Sequence, residues 1–379
     1  MQPTEEPPPP PPFDVLVTGS SGHLGTALML RLPTHGLTPL GIDILPSPTT
    51  HLTGSVSDPD FVTSVLSCNP SIRHIIHAAT LHKPHVGTHT HRDFIDTNIT
   101  GTSILLQAAA TTAAEITRLP LSSFIFISTT SAFGTALTQP ITTTNTTTTT
   151  STPAAASAAT WIDESVRGDP KNIYGLTKSA AEDLCLLAHR QHSLPVIVLR
   201  TSRFFPEDDD DHHRRAATPD PHNLKVLELA HRRVDISDIV DACRCAMDRA
   251  AHLGWGRYII SAPTPFVAHT DTDTDTDTDT GGMDRDTLLR VLGERPQEAF
   301  ARFVPEVEPI FRDKGWGYTP RVDRVYDSSR AVRELGWTPQ YTFERAVRSV
   351  RDGEEWRSPL TLEVGEKGYH ATPTGVYTK

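Results

Sequence analysis

The chain has 379 residues and a formal charge of −11, with a sequence pI near 5.9, which excludes the basic field that a dedicated nucleic-acid or anionic-membrane binder needs. Its length exceeds the roughly 100–200 residues of one typical domain, so one large or two closely joined domains are expected. The 37% hydrophobic content and the excess of 31 Pro over 23 Gly leave part of that length outside any core. Cys68, Cys185, Cys243 and Cys245 lack metal-ligand spacing such as C-x-x-C and are too few for a disulfide scaffold. They fit a reducing compartment, and the expected location is cytoplasmic. No metal site is expected. Glu5 and Glu6 followed by six prolines do not read as a signal peptide, and no apolar run reaches the ~18 residues of a membrane span.

In chain order, residues 1–12 are an extended Pro-rich arm. Phe13 to Val17 is a short buried strand that runs into Thr18-Gly19-Ser20-Ser21-Gly22-His23-Leu24-Gly25, and Leu24, Ala27, Leu28 and Leu32 then follow at helical spacing. A second strand, Thr38 to Ile42, ends at Asp43. Asp58 and Pro59 start a helix, and a third strand covers Ile72 to Ala78. Strands four, Phe124 to Ile127, and five, Val196 to Leu199, each follow a long helix-compatible stretch. Such β-α alternation predicts an α/β fold: a Rossmann-type, doubly wound parallel sheet.

Two segments interrupt the pattern. Residues 141–160 are mostly Thr, Ala and Ser and read as a disordered insertion, within which Asn145-Thr146-Thr147 satisfies the glycosylation sequon. Residues 271–280 alternate Asp and Thr with no apolar face, which predicts a solvated loop without the fixed geometry of a selective cation site. The run Asp208 to Asp211 with His212, His213, Arg214 and Arg215 reads as a self-neutralising loop, because consecutive loop residues rarely converge on one ion. The Asp-Thr repeat and this run together hold nine Asp, most of the excess negative charge.

Gly19, Gly22 and Gly25 sit at a strand-to-helix junction, where a pyrophosphate needs close backbone approach and unpaired N–H groups. Asp43 closes the next strand 18 residues beyond Gly25, near the ~20-residue spacing of an acid that accepts from both ribose hydroxyls; it favours NAD over NADP, whose 2′-phosphate it repels. Tyr174-Gly175-Leu176-Thr177-Lys178 puts a phenol and an ammonium on one helix face. It precedes strand five and follows a strand ending in Ser128-Thr129-Thr130-Ser131, so both belong to the ligand-binding end of the sheet. A Tyr that takes a hydroxyl proton near pH 7 must come down about 3 units from ~10, and a neighbouring ammonium and a cationic nicotinamide can supply that shift.

TGSSGHLG, the Asp closing strand two, the hydroxyl cluster before Ala132-Phe133-Gly134, and YGLTK together resemble the extended short-chain dehydrogenase/reductase family, the NAD-dependent epimerase/dehydratase group. Further matches are His77-Ala78-Ala79, Asn98-Ile99-Thr100-Gly101-Thr102, Leu199-Arg200 and Ala331 to Pro339, so the likeness runs from Phe13 to about Val350. The resemblance implies Tyr174 as general acid/base, Lys178 as the partner that holds the nicotinamide ribose and lowers the Tyr pKa, and Thr129 as the hydroxyl on the reacting oxygen, with Ser128 and Ser131 as neighbouring candidates. It implies NAD as cofactor, held by Gly19, Ser21, Gly22, His23, Leu24, Gly25, Asp43, Ser55, Val56, Ala78, Ala79, Thr80 and Asn98 with Tyr174 and Lys178. Asn98 is also expected to brace the sheet near Tyr174. Ser131 and Arg203 fall on the substrate side.

The sequence departs from the family pattern at several points. Gly54-Ser55-Val56 replaces Gly-Asp-hydrophobic after strand two, so an adenine contact falls to Ser55 or moves to Asp58. Arg203-Phe204-Phe205-Pro206 stands where nucleotide-sugar members have an Asn, an aromatic, Gly and Pro; Arg203 either clamps a phosphate or carboxylate or pairs with the acidic loop. Asp235 stands where a His is common, and the Asp-Glu pair of sugar 4,6-dehydratases is missing beside Thr129, which disfavours dehydration. The division expected is 13–200 for the NAD-binding domain, 201–353 mainly for a smaller C-terminal substrate-binding lobe with returning Rossmann elements, and 354–379 for a tail. The function expected is NAD-dependent epimerisation or oxidoreduction of a sugar or nucleotide-sugar hydroxyl. A carbonyl reductase or alcohol dehydrogenase on a non-sugar small molecule, and a non-catalytic NAD sensor, are the alternatives. A homodimer through the helices beside the Tyr helix is a further implication of the resemblance.

Overall fold

A computed structural model describes residues 12–113, 120–138, 158–207, 216, 218, 220–267 and 283–367. Seven strands form one parallel sheet: β1 (Val15–Thr18), β2 (Pro39–Asp43), β3 (Leu52–Thr53), β4 (His74–His77), β5 (Ser123–Thr129), β7 (Val196–Thr201) and β10 (Trp255–Ile260), with β6 (Thr160–Ile162), β8 (Arg203–Phe204) and β9 (Arg233–Val234) outside it. Across the sheet the order is β10-β7-β5-β4-β1-β2-β3. β1, β5 and β7 are buried along their whole length, which is why they read as unbroken apolar runs and not as alternating ones. All five expected strands are present, with β3 and β10 added at the two edges. The chain leaves β1 towards β2 on one side and returns to β4 on the other, so a crevice opens at their carboxyl ends, where the strand order reverses.

Local chemistry sets the helices that carry the site. Helix α1 (His23–Arg31) follows the glycine turn directly. Helix α2 (Pro59–Cys68) starts where expected: Asp58 accepts from the N–H groups of Asp60 and Phe61, and Pro59 takes the first helical position. A continuous helical stretch runs from α3 (His91–Phe94) through a π-turn at Ile95–Thr100, which carries Asn98, into α4 (Gly101–Ala113). Helix α5 (Ile173–His192) is capped by Asn172, whose Oδ1 accepts from Gly175 N at 2.9 Å, and it carries Tyr174 and Lys178 in its first two turns.

A second core lies after β7. Helices α6 (Pro221–Leu229), α8 (Arg285–Glu294), α9 (Pro296–Phe303), α10 (Val307–Lys314) and α12 (Phe343–Asp352) pack their apolar faces around Phe266, Phe300, Phe311 and Phe343, and β11 (Arg324–Tyr326) pairs in parallel with β6. Helices α7 (Ile236–Leu253), α11 (Ser329–Leu335) and α13 (Pro359–Val364) return to the core of the large sheet. No helix among the described residues is long and apolar enough to cross a membrane.

Two boundaries differ from the sequence expectation. The insertion placed at 141–160 ends earlier: Ala159 is buried and Thr160 opens β6. The stretch from 354, expected as a tail, is packed as far as Val364 because Ser358, Leu360 and Thr361 are buried. Asp235 explains that docking. It caps α7 through Ser237 N at 2.8 Å, and it accepts from Ser358 N at 3.0 Å, Ser358 Oγ at 2.6 Å and Thr361 Oγ1 at 3.0 Å. Residues 1–11, the Asn145 sequon, the 208–215 run, the Asp-Thr repeat and residues 368–379 lie outside the described residues. Asp235→Ala removes a cap and orphans buried donors, so it should cost about 2–4 kcal/mol, read as a lower midpoint in urea denaturation.

Candidate active site

The β1–α1 turn closes on the end of β4. Gly19 has φ +74°, a Cβ there would come 2.7 Å from Ala79 N, and a Cβ on Gly25 would collide with the Gly19 carbonyl oxygen. Only glycine allows this approach. Thr18 Oγ1 accepts from Ala79 N at 3.1 Å and ties the two strand ends together. Asp43 is held at the end of β2 by Ser21 N on Oδ2 (3.0 Å) and Leu45 N on Oδ1 (2.9 Å). A cavity of about 290 Å³ opens here, lined by Gly19, Ser21 to Gly25, Asp43, Ser55, Val56 and Ala78 to Thr80. His23, though on its wall, is buried: burial pushes its pKa down to about 4, so it is a neutral ring, and its Nε2 accepts from Lys367 N at 3.0 Å. The carboxylate of Glu207 lies 3.9 Å from its Nδ1.

Asn98 does not line that cavity. Its Oδ1 accepts from Thr80 Oγ1 (2.9 Å) and Leu81 N (2.8 Å), and its Nδ2 donates to Leu81 O (2.9 Å) and Thr177 Oγ1 (3.0 Å). Both amide ends are used in strapping the β4 loop to α5, so it braces the wall behind the cavity.

Tyr174 stands where this cavity meets a second one of about 300 Å³. The two also share His82, Thr201, Phe204 and Glu207. Thr129 and Ser131 line the second cavity, and Thr129 Oγ1 accepts from Ser131 N at 3.0 Å. Burial pushes the Tyr174 phenol up to about 12; the hydrogen bond with Thr129 pulls it down and the Glu207 carboxylate pushes it up. Lys178 is buried. It lines neither cavity, and its Nζ lies 4.0 Å over the Phe126 ring, between α5 and β5. Burial lowers its pKa to about 7, against the opposing pull of Cys185 and Glu182. Ser128, the neighbouring candidate, turns its hydroxyl to Glu182 at 2.6 Å.

Arg203 lies in the wall of the second cavity, and the acidic run with which it was a candidate partner is outside the described residues. Sequence reasoning missed His82, Lys83, Lys171, Glu207, Arg232, Arg324 and Tyr326, which also line it. They come from separate stretches of chain, and no motif marks any of them.

The model of the NAD dependent epimerase/dehydratase family matches residues 15–256. The chain belongs to that family. No curated protein matches it by sequence. Among solved structures, a short-chain dehydrogenase/reductase superfamily protein from Agrobacterium tumefaciens with bound NAD is 17% identical, with a TM-score of 0.55 over 89% of this chain and 96% of that one. The UDP-glucuronic acid 4-epimerase from Bacillus cereus, in complex with UDP-glucuronic acid and NAD, is 16% identical, with a TM-score of 0.53 over 90% and 98%. The UDP-N-acetylglucosamine 4-epimerase from Bacillus cereus is 16% identical, with a TM-score of 0.55 over 89% and 98%. At such identities the likeness is one of fold.

For this epimerase/dehydratase-family chain, the lowered Lys178 pKa makes a stability prediction. The folded state disfavours the ammonium, so the cost is present in full below about pH 7 and fades as pH rises towards the ordinary 10.5. Lys178→Met should therefore be more stable than the parent at neutral pH, by about 1–3 kcal/mol, with the margin shrinking towards pH 10 in thermal denaturation.

Proposed function

We propose that the protein is an NAD-dependent epimerase or oxidoreductase acting on a sugar or nucleotide-sugar hydroxyl. The observation that carries this is the position of Tyr174, hydrogen-bonded to Thr129 at the junction of the glycine-turn cavity and the Arg-rich cavity. The cradle that any Cβ at Gly19 or Gly25 would fill suits a pyrophosphate, and Asp43, already aligned by two backbone N–H groups, suits the ribose diol. NAD bound there would supply the hydride acceptor and a positively charged ring. Thr129 would hold the substrate oxygen, and Tyr174 would take its proton. Because burial raises the phenol, positive charge near it is what makes proton acceptance feasible near pH 7. The segment after Thr201 forms the substrate side, since Arg203, Arg232, Arg324 and Tyr326 all belong to it. The nucleotide sugar and NAD held by the Bacillus cereus UDP-glucuronic acid 4-epimerase support the substrate class.

Tyr174→Phe should lower turnover by at least ~100-fold with NAD affinity within about threefold of the parent; undiminished turnover would refute the role of Tyr174. Spectra of the purified protein separate the two branches, because an epimerase retains its cofactor and a net oxidoreductase exchanges it. Asp43→Ala should weaken NAD about tenfold or more and leave NADP nearly unchanged, measured by titration of the two cofactors side by side.

A further inference from the structure

We infer that residues 356–367 form a clasp that joins the lobe after β7 to the glycine turn and slows the release of NAD. The inference deepens the cofactor half of the reading above, because it rests on NAD occupying the cavity at the glycine turn.

The clasp touches three separate parts of the molecule. Trp356 begins it: the ring is buried in the core after β7, edge-on to Phe205 at 4.8 Å between centroids, and its Nε1 donates to His222 Nδ1 at 3.2 Å. Phe205 directly follows Phe204, which lines both cavities. Asp235 is the second anchor, taking the Ser358 N–H and hydroxyl and the Thr361 hydroxyl, all of them buried. Helix α13 then lays Leu360 and Val364 into the cluster that holds Leu24, Ala27 and Leu28 of α1. The third contact is at the cofactor cavity itself. There the Lys367 N–H donates to Nε2 of His23, the first residue of α1 and part of the cavity wall beside Gly22 and Leu24.

These contacts are graded in strength. Asp235 accepts three hydrogen bonds from buried donors, whereas the half-buried end at Lys367 is held by one backbone N–H. Unseating Ser358 is therefore costly, and opening the end back to Gly365 is cheap. Gly365 has φ +61°, a conformation that suits glycine, and it turns the chain off α13 towards α1. The acceptor is also kept ready. Burial first, and the nearby Lys367 ammonium second, push the His23 pKa down to about 4, so the ring is neutral and Nε2 can accept throughout the neutral range. A dinucleotide held at the glycine turn leaves when that wall yields, and the clasp ties the wall to the lobe behind Phe204. By linkage, NAD must oppose undocking of the clasp by the factor with which the docked clasp strengthens NAD binding.

The test uses the full chain loaded with NADH, whose fluorescence reports its displacement by excess NAD in a stopped-flow mixer. In Lys367→Pro, which removes the tethering N–H, NADH should leave about fivefold faster or more, the worth of roughly one hydrogen bond. Lys367→Ala keeps the N–H and should release NADH within about twofold of the parent. Amide hydrogen exchange at residues 361–367 of the parent should slow by about fivefold on saturation with NAD. Release from Lys367→Pro within about twofold of the parent, an equal acceleration in Lys367→Ala, or clasp exchange indifferent to NAD overturns the inference. Should Lys367→Pro fail to fold, the exchange measurement on the parent decides the question. A parent that binds neither NAD nor NADH overturns the cofactor reading and the clasp together. Faster release from the proline variant, with turnover intact in Tyr174→Phe, upholds the clasp and overturns the role given to Tyr174.

Discussion

A single buried carboxylate holds the helix that carries Tyr174 to the sheet. Glu182 lies two turns beyond Tyr174 on α5 and is wholly buried; it accepts from Ser128 Oγ on β5 at 2.6 Å and from Arg200 on β7 at 2.7–3.2 Å. Arg257 Nε on β10 lies 3.0 Å away. Three neighbouring strands and one helix therefore converge on one side chain. Ser128 is the residue before Thr129, so the same carboxylate ties α5 to the strand end that carries Thr129. A buried ion pair of this kind adds little net stability over an apolar substitute, yet removal of one partner leaves a charge stranded at a cost of about 3–5 kcal/mol. Its contribution is to register, fixing which turn of α5 faces which strand end.

From that register follows the division of labour around Tyr174. On one side the glycine turn brings backbone close to the end of β4 and makes a wall of small residues. On the other, the segments after β7 bring arginines together. Lys178, one turn below the phenol, is enclosed between Phe126 and the Glu182 network. Nine of the chain's acids fall in two runs outside the described residues, while Arg203, Arg232 and Arg324 are among the described residues that line the cavity beside Tyr174.

Much of the Rossmann half was legible because its signals are local. A buried parallel strand must be apolar throughout, a turn that lets backbone meet backbone must be glycine, and a helix start needs a side-chain acceptor such as Asp58 or Asn172. Each constraint is satisfied within a few residues. The edge strand β3 escaped notice because two exposed residues, Leu52 and Thr53, carry no periodicity, and the packing of Ser358 to Val364 escaped because its partner, Asp235, lies 123 residues earlier.

The sequence by itself determined the parallel α/β sheet, the glycine turn with Asp43, and the placing of Thr129 and Tyr174 at strand and helix ends, since backbone sterics and burial period act between near neighbours. Only the tertiary structure decided which groups Asn98 straps together, that Lys178 sits over Phe126 at a depressed pKa, and that Arg203, Arg232 and Arg324 share one cavity. Those outcomes depend on desolvation and on charges brought together from distant parts of the chain, and neither quantity exists until the chain has folded.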